Sequence, residues 1–256
     1  MFQALAVLVL CASVVIAQPP RPPGGGGQQR DLTCAGNNLT RCPMQEPFQP
    51  VIVTASSNYR LIQTTSCPPY PQNWTVMQEA CINDRTIEIP LTPRFATTPV
   101  PIVTALSDFD GITYLEATPT PVLGSIGLFD NGVYIYGSSS PCGFGSACPT
   151  TDANAPSIWV DAVGSEGDTI DYCGGHPTPI DLEYHVHSGA TFTASNAGRE
   201  RCGLPIDTAG QHSTRLGWMY DGFGIYGRYS LNGEVPTDLD RCSGHTHEID
   251  GVMTYH

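Results

Sequence analysis

The 256-residue chain contains no lysine: its eleven basic residues are all arginines, set against 24 acidic ones for a formal net charge of -13. That absence excludes a Schiff-base enzyme and a P-loop lysine, and it leaves no basic stripe to follow a nucleic-acid backbone. Charge of either sign is scarce, at 14% of residues against roughly 25% in ordinary soluble domains. No segment approaches the about 20 consecutive apolar residues of a membrane-spanning helix, so no membrane span is expected. Neither a Gly-x-Ser-x-Gly elbow nor a His-Glu-x-x-His helix occurs, which removes two hydrolase signatures. Sustained amphipathic helices of three turns are missing too. What the chain has in quantity is glycine (27) and proline (23), the residues of turns and loops.

The N-terminus carries an address. Leu5 to Ile16 form an apolar run of about a dozen residues, too short for a bilayer core of roughly 30 Å, and Val15 and Ala17 are small residues of the kind signal peptidase reads. Residues 1–17 are therefore expected to be a signal peptide, and the protein to be secreted and extracellular. Pro19, Pro20, Pro22, Pro23 and Gly24 to Gly27 then make residues 18–30 a Pro/Gly linker. An oxidising compartment suits the remaining cysteines, so Cys34, Cys42, Cys67, Cys81, Cys142, Cys148, Cys173, Cys202 and Cys242 are disulfide candidates. Nine is odd, which predicts one cysteine free, bridged to another chain, or paired beyond residue 256. Asn38-Leu39-Thr40 and Asn73-Trp74-Thr75 are glycosylation sequons, placing candidate sugars on Asn38 and Asn73. Residues 31–93, with four of the cysteines, read as an N-terminal region ahead of a main domain over 94–256.

The main domain has the texture of β structure: short alternating runs separated by Asp110-Gly111, Asn131-Gly132 and Asp221-Gly222 turn dipeptides. It also repeats. Ile126-Gly127-Leu128-Phe129-Asp130-Asn131-Gly132 lies in register with Leu216-Gly217-Trp218-Met219-Tyr220-Asp221-Gly222, and Ile135-Tyr136-Gly137 with Ile225-Tyr226-Gly227. Asp171-Tyr172-Cys173-Gly174-Gly175-His176 then matches Asp240-Arg241-Cys242-Ser243-Gly244-His245, and Tyr184-His185 matches Tyr255-His256. The expected class is mostly β, disulfide-containing, with duplicated β-hairpin half-domains at about 126–187 and 216–256 and long loops. The first copy carries an insertion around Ser138 to Ser157. The first copy continues Val186-His187 where the second ends, which predicts that the second is truncated.

The histidines carry the chemistry. His176, His185, His187, His245, His247 and His256 all fall within the repeated motifs. Residues i and i+2 of an extended strand project to one face, so His185 and His187 converge, as do His245 and His247. Imidazole is the usual nitrogen ligand of copper and zinc, and pairs from the two units are expected to complete one divalent metal site. Asp171, Asp181, Glu183, Asp240, Glu248 and Asp250 are the nearby acids that would ligate or orient a ring. Tyr184 and Tyr255 alternate with the histidines and should pack inward. His212 has no counterpart in the first copy and is expected on the surface.

The runs Asp171 to His187 and Leu216 to Thr246 resemble the signature of YHYH-domain proteins, a similarity covering about Thr120 to His256. Val186 stands where that family's second Tyr would be. The resemblance implies a secreted or periplasmic module with suspected metal binding, and implies no reaction. The functional expectation is a non-catalytic, metal-binding extracellular glycoprotein module. The alternatives are a structural protein associated with extracellular-matrix components or biomineral, and a metal-dependent enzyme with Glu183 or Glu248 as general base.

Overall fold

The computed structural model describes residues 33–45, 51–71, 79–97, 103–109, 112–117, 124–137, 139–141, 158–166, 169–179, 181–187, 195–240 and 242–256. The expected signal peptide and linker, Asn73, Cys142 and Cys148 lie outside these residues. The chain is mostly β. Strands β1 (Ile52–Ala55), β2 (Tyr59–Thr64) and β3 (Arg85–Pro90) form an antiparallel sheet in sequence order. Strands β4 (Val103–Phe109) and β5 (Ile112–Ala117) are a hairpin. The centre of the molecule is built from β6 (Ser125–Phe129) and β7 (Tyr134–Tyr136). After β8 (Ser139–Pro141) and β9 (Ile158–Asp161), which join β5 in a four-stranded sheet, comes the short helix α1 (Ala162–Glu166). Strands β10 (Gly175–Pro177) and β11 (Tyr184–Val186) follow, then α2 (Asn196–Arg201), β12 (Arg215–Met219), β13 (Gly224–Tyr226), and the hairpin β14 (Thr246–Ile249) with β15 (Val252–Tyr255).

Six of these strands make one sheet in the order β10-β11-β7-β6-β12-β13. Hairpins β6–β7 and β12–β13 share their register residue for residue: Gly127 pairs with Ile135 and Leu128 with Tyr134, as Gly217 pairs with Ile225 and Trp218 with Gly224. Each register slips at the same place, between Ser125 and Gly127 and between Arg215 and Gly217. The hairpins join along an antiparallel β6–β12 seam in which Leu128 faces Trp218, its counterpart in the other motif, while Gly127 faces Met219 and Phe129 faces Gly217. A local two-fold axis therefore passes between Leu128 and Trp218. The turns repeat as well. Gly132 and Gly222 take the left-handed φ of +86° and +98° that a Cβ disfavours, and close loops in which Phe129 and Met219 donate to the carbonyls of Val133 and Phe223.

The described part of residues 33–93 belongs to the same body. Cys42, Cys67, Tyr70 and Ala80 share one buried core with Phe129, Val133, Tyr184, Val186 and Leu216, while Ile62 and Ile89 of the first sheet pack on Leu128 and Tyr134. Cys34–Cys81 and Cys42–Cys67 brace this region, and Cys173–Cys202 ties the β10 turn to the end of α2. Cys242 is also disulfide-bonded, and none of the described cysteines is free. Asn38 is exposed, at the end of a 3-10 turn, as a glycosylation site requires. Among the described residues, no helix is long and apolar enough to cross a membrane.

Candidate metal centre

Both motifs build their histidines on the same local frame. Asp171 opens a tight turn by accepting from the amides of Cys173 (2.8 Å) and Gly175 (3.2 Å), and Asp240 does the same for Cys242 (2.8 Å) and Gly244 (3.2 Å). Tyr184 and Tyr255 donate their hydroxyls back to Asp171 (2.6 Å) and Asp240 (3.0 Å). The turn delivers His176 opposite His185 across β10–β11, and His245 opposite His256, whose backbones exchange both hydrogen bonds. Tyr184 is fully buried and packs edge-on against Tyr70, their hydroxyls 2.7 Å apart. Tyr255 stays half-buried against Phe95 and Phe223.

The six predicted histidines do not complete a single centre. They fall into two separate groups, one per copy, and each recruits a residue the sequence reading left aside. The first is Glu166, His176, His185 and His187; the second is His212, His247 and His256, with His245 alongside. The ligand atoms of Glu166, His176, His185 and His187 lie within 4.8 Å of one another, as do those of His212, His247 and His256. His212 is thus half-buried in a cluster rather than loose on the surface, its Nε2 3.2 Å from that of His256. Glu166 comes from α1, and its carboxylate reaches His176 Nε2 at 2.9 Å and His187 Nε2 at 3.0 Å. The acids singled out from sequence are used elsewhere: Asp171 and Asp240 hold turns, Glu183 meets Arg85 (2.7 Å) and Tyr136 (2.9 Å), and Asp181 accepts from Thr178. Glu248 offers its carbonyl to His247 (3.2 Å), and Asp250 sits in the β14–β15 turn.

Hydrogen bonding at the outer edge of each ring fixes what the inner edge presents. His185 Nδ1 faces the carbonyl of Glu183 (3.2 Å) and His187 Nδ1 that of Gly137 (3.0 Å). A carbonyl only accepts, so both Nδ1 atoms carry the hydrogen. Thr169 spends its hydroxyl hydrogen on the Glu166 carbonyl (2.7 Å), so toward His176 Nδ1 (2.8 Å) it too accepts. In their neutral form all three rings then turn bare Nε2 lone pairs inward, with His185 Nε2 and His187 Nε2 only 2.9 Å apart. Lone pairs at that distance repel unless a cation lies between them. On His185 itself a proton is disfavoured, because burial first, and then the neighbouring His187 and His176, holds that ring well below the usual imidazole range. A tetrahedral set of about 2.0 Å metal–nitrogen bonds has edges of roughly 3.3 Å, so His185 and His187 need to part by only a few tenths of an ångström.

In the second cluster the same rule holds for His212, His245 and His247 but not for His256, whose buried Nδ1 has no hydrogen-bond partner. His212 Nδ1 faces the Ser213 carbonyl (2.7 Å), and His245 Nδ1 faces the Asp238 carboxylate (2.9 Å). Asp238 occupies the position, seven residues before the turn histidine, that Thr169 holds in the first copy. The bond from His245 in turn keeps the Asp238 carboxyl below its ordinary range. A carboxylate on Nδ1 orients the ring and strengthens Nε2 as a donor, and such partners are typically worth about 10–100-fold in metal affinity. Asp238→Asn is therefore expected to weaken the second centre about 10-fold without changing the first, as read by titrating metal against a competing chelator.

Burial, followed by its histidine neighbours, lowers His256 from the ordinary 6.5 to about 4. An unfolded imidazole takes its proton near 6.5 and this folded one only near 4, so between them the unfolded chain binds more protons. Stability of the metal-free chain should fall as pH drops through that window, with His185 acting in the same direction. Urea unfolding at pH 7 and pH 5 checks this; a midpoint unchanged or higher at pH 5 would contradict it.

A family model described as YHYH protein matches residues 86–249, well over half of the chain. No curated protein and no solved structure matches it.

Proposed function

We propose that this chain, which belongs to the YHYH protein family, is a secreted, non-catalytic glycoprotein module that binds two divalent metal ions, zinc or copper, one in each histidine cluster. The observation that carries this reading is the convergence of three imidazole Nε2 lone pairs and a carboxylate in the first cluster, every outer nitrogen being tied to an acceptor. Such a set has the donor types and number of a four-coordinate zinc site, and imidazole nitrogens equally suit copper(II). Both ions are found where disulfides persist, and the three bridges among the described residues fit an oxidising, extracellular setting.

The test is elemental analysis of the tag-free protein recovered from culture medium, before and after reconstitution. Two zinc or copper ions per chain are expected. None after reconstitution would mean that the histidines serve the fold, and the structural-matrix reading would then take precedence.

A further inference from the structure

The two clusters differ in charge. The first includes the Glu166 carboxylate, whereas the second is made of imidazoles, and the carboxylate beside it, Asp238, is engaged at the outer nitrogen of His245. A divalent ion keeps a net charge of +1 among the first set of ligands and +2 among the second. A water-exposed +2 centre with neutral ligands draws an anionic donor from outside the protein.

The space for one is present. His245 and His256 form part of the wall of a cavity of about 440 Å³, within the roughly 300–1,000 Å³ usual for small-molecule sites. Aromatic rings make up much of the remaining wall. Phe95, Phe223 and Tyr255 form a mutual cluster with centroids 4.7 to 5.3 Å apart, and Tyr226 lies 4.6 Å from the His256 ring. Val235, half exposed, stands at the wall on the loop side. The counterpart of Tyr226 in the first copy, Tyr136, is instead stacked on His185 at 3.8 Å and hydrogen-bonded to Glu183, in line with β11 pairing directly on β7. Among the described strands, β13 has β12 alone as partner, and this is the side on which the cavity lies.

We infer that the second centre takes an external ligand from this cavity: a small aromatic molecule bearing an anionic oxygen, of the phenol or catechol class. The oxygen supplies the charge the imidazoles lack, and the flat ring fills the aromatic wall. This rests on the two-metal reading above.

The probe is 4-nitrocatechol, whose visible band shifts on metal coordination, titrated into protein carrying two zinc ions per chain. One equivalent is expected to bind, with no shift in metal-free protein. Binding should persist in the His185→Ala/His187→Ala variant and vanish in His212→Ala. Val235→Trp, which fills the cavity without touching a histidine, should retain both zinc ions and weaken the probe at least 10-fold. No band shift in the two-zinc protein, or binding indifferent to Val235→Trp, would overturn the inference while leaving the metal reading intact. So would azide binding where nitrocatechol does not, since that removes the aromatic requirement. A chain that takes up fewer than two zinc ions would instead fail the metal reading, and this inference with it.

Discussion

Replacing His185 and His187 together by alanine is expected to lower the metal content from two ions per chain to one, leaving the second cluster loaded. The two rings project from the same face of β11 and its continuation, with Nε2 atoms 2.9 Å apart, and Glu166 reaches His187 at 3.0 Å. Without them the first centre keeps His176 and Glu166 alone. Since outer-sphere partners by themselves are worth about 10–100-fold, loss of two direct ligands should reduce affinity by more than about 10⁴-fold. The thermal shift produced by metal should shrink accordingly. A site held at about 1,000 times its dissociation constant contributes about 4 kcal/mol, and the variant forfeits that contribution from one of its two centres. Elemental analysis and a melting curve with and without zinc read both effects. Retention of two ions would show that the histidine pair is not where metal binds.

Gly217→Ala is expected to be among the most destabilising single substitutions in the chain. A Cβ at this position would stand 2.2 Å from the Leu128 carbonyl oxygen and 2.7 Å from the Phe129 Cα, both backbone atoms that no rotamer change can move aside. Its counterpart Gly127 meets the Trp218 carbonyl oxygen at 2.5 Å. Relief requires β6 and β12 to separate along the seam that joins the two hairpins. Overpacking typically costs about 1–3 kcal/mol, and a backbone-to-backbone clash belongs at the top of that range. The double variant with Gly127→Ala should be less than additive, because both changes open the same strands. Occupancy of the first metal centre should fall with it, since β11, which carries His185, pairs on β7 of a hairpin anchored at this seam. Urea unfolding and metal content measure the outcome; an unfolding midpoint within error of the parent would refute this account of the seam.

The histidine pairs were legible because strand periodicity is local: alternation alone sets His185 beside His187, and the rings indeed meet. The paired hairpins were legible for the same reason, each being specified by a turn dipeptide and its flanking alternation. Their mutual pairing was not, because Leu128 opposite Trp218 joins strands 90 positions apart in a register no local pattern encodes. His212 and Glu166 were invisible as ligands for a related reason. Each enters its cluster from a segment outside the repeated motif, and neither has a counterpart whose spacing would flag it. The reverse error attended Glu183, Asp171 and Asp240. They lie close to histidines in sequence, yet strand alternation and turn capping direct them toward Arg85, Tyr184 and Tyr255 instead.

Composition and spacing were enough to determine the β class, the disulfide-bearing character and the local likeness of the two hairpin motifs, because each depends on residues a few positions apart or on bulk counts. Tertiary structure alone decided that Cys42, Cys67, Tyr70 and Ala80 share the core, that the histidines form two clusters rather than one, and that a carboxylate joins only the first. Those outcomes depend on which surfaces meet when strands far apart in sequence pair. That meeting is governed by burial of apolar area and by how closely two backbones can approach at Gly127 and Gly217, quantities that belong to the assembled sheet rather than to any segment of it.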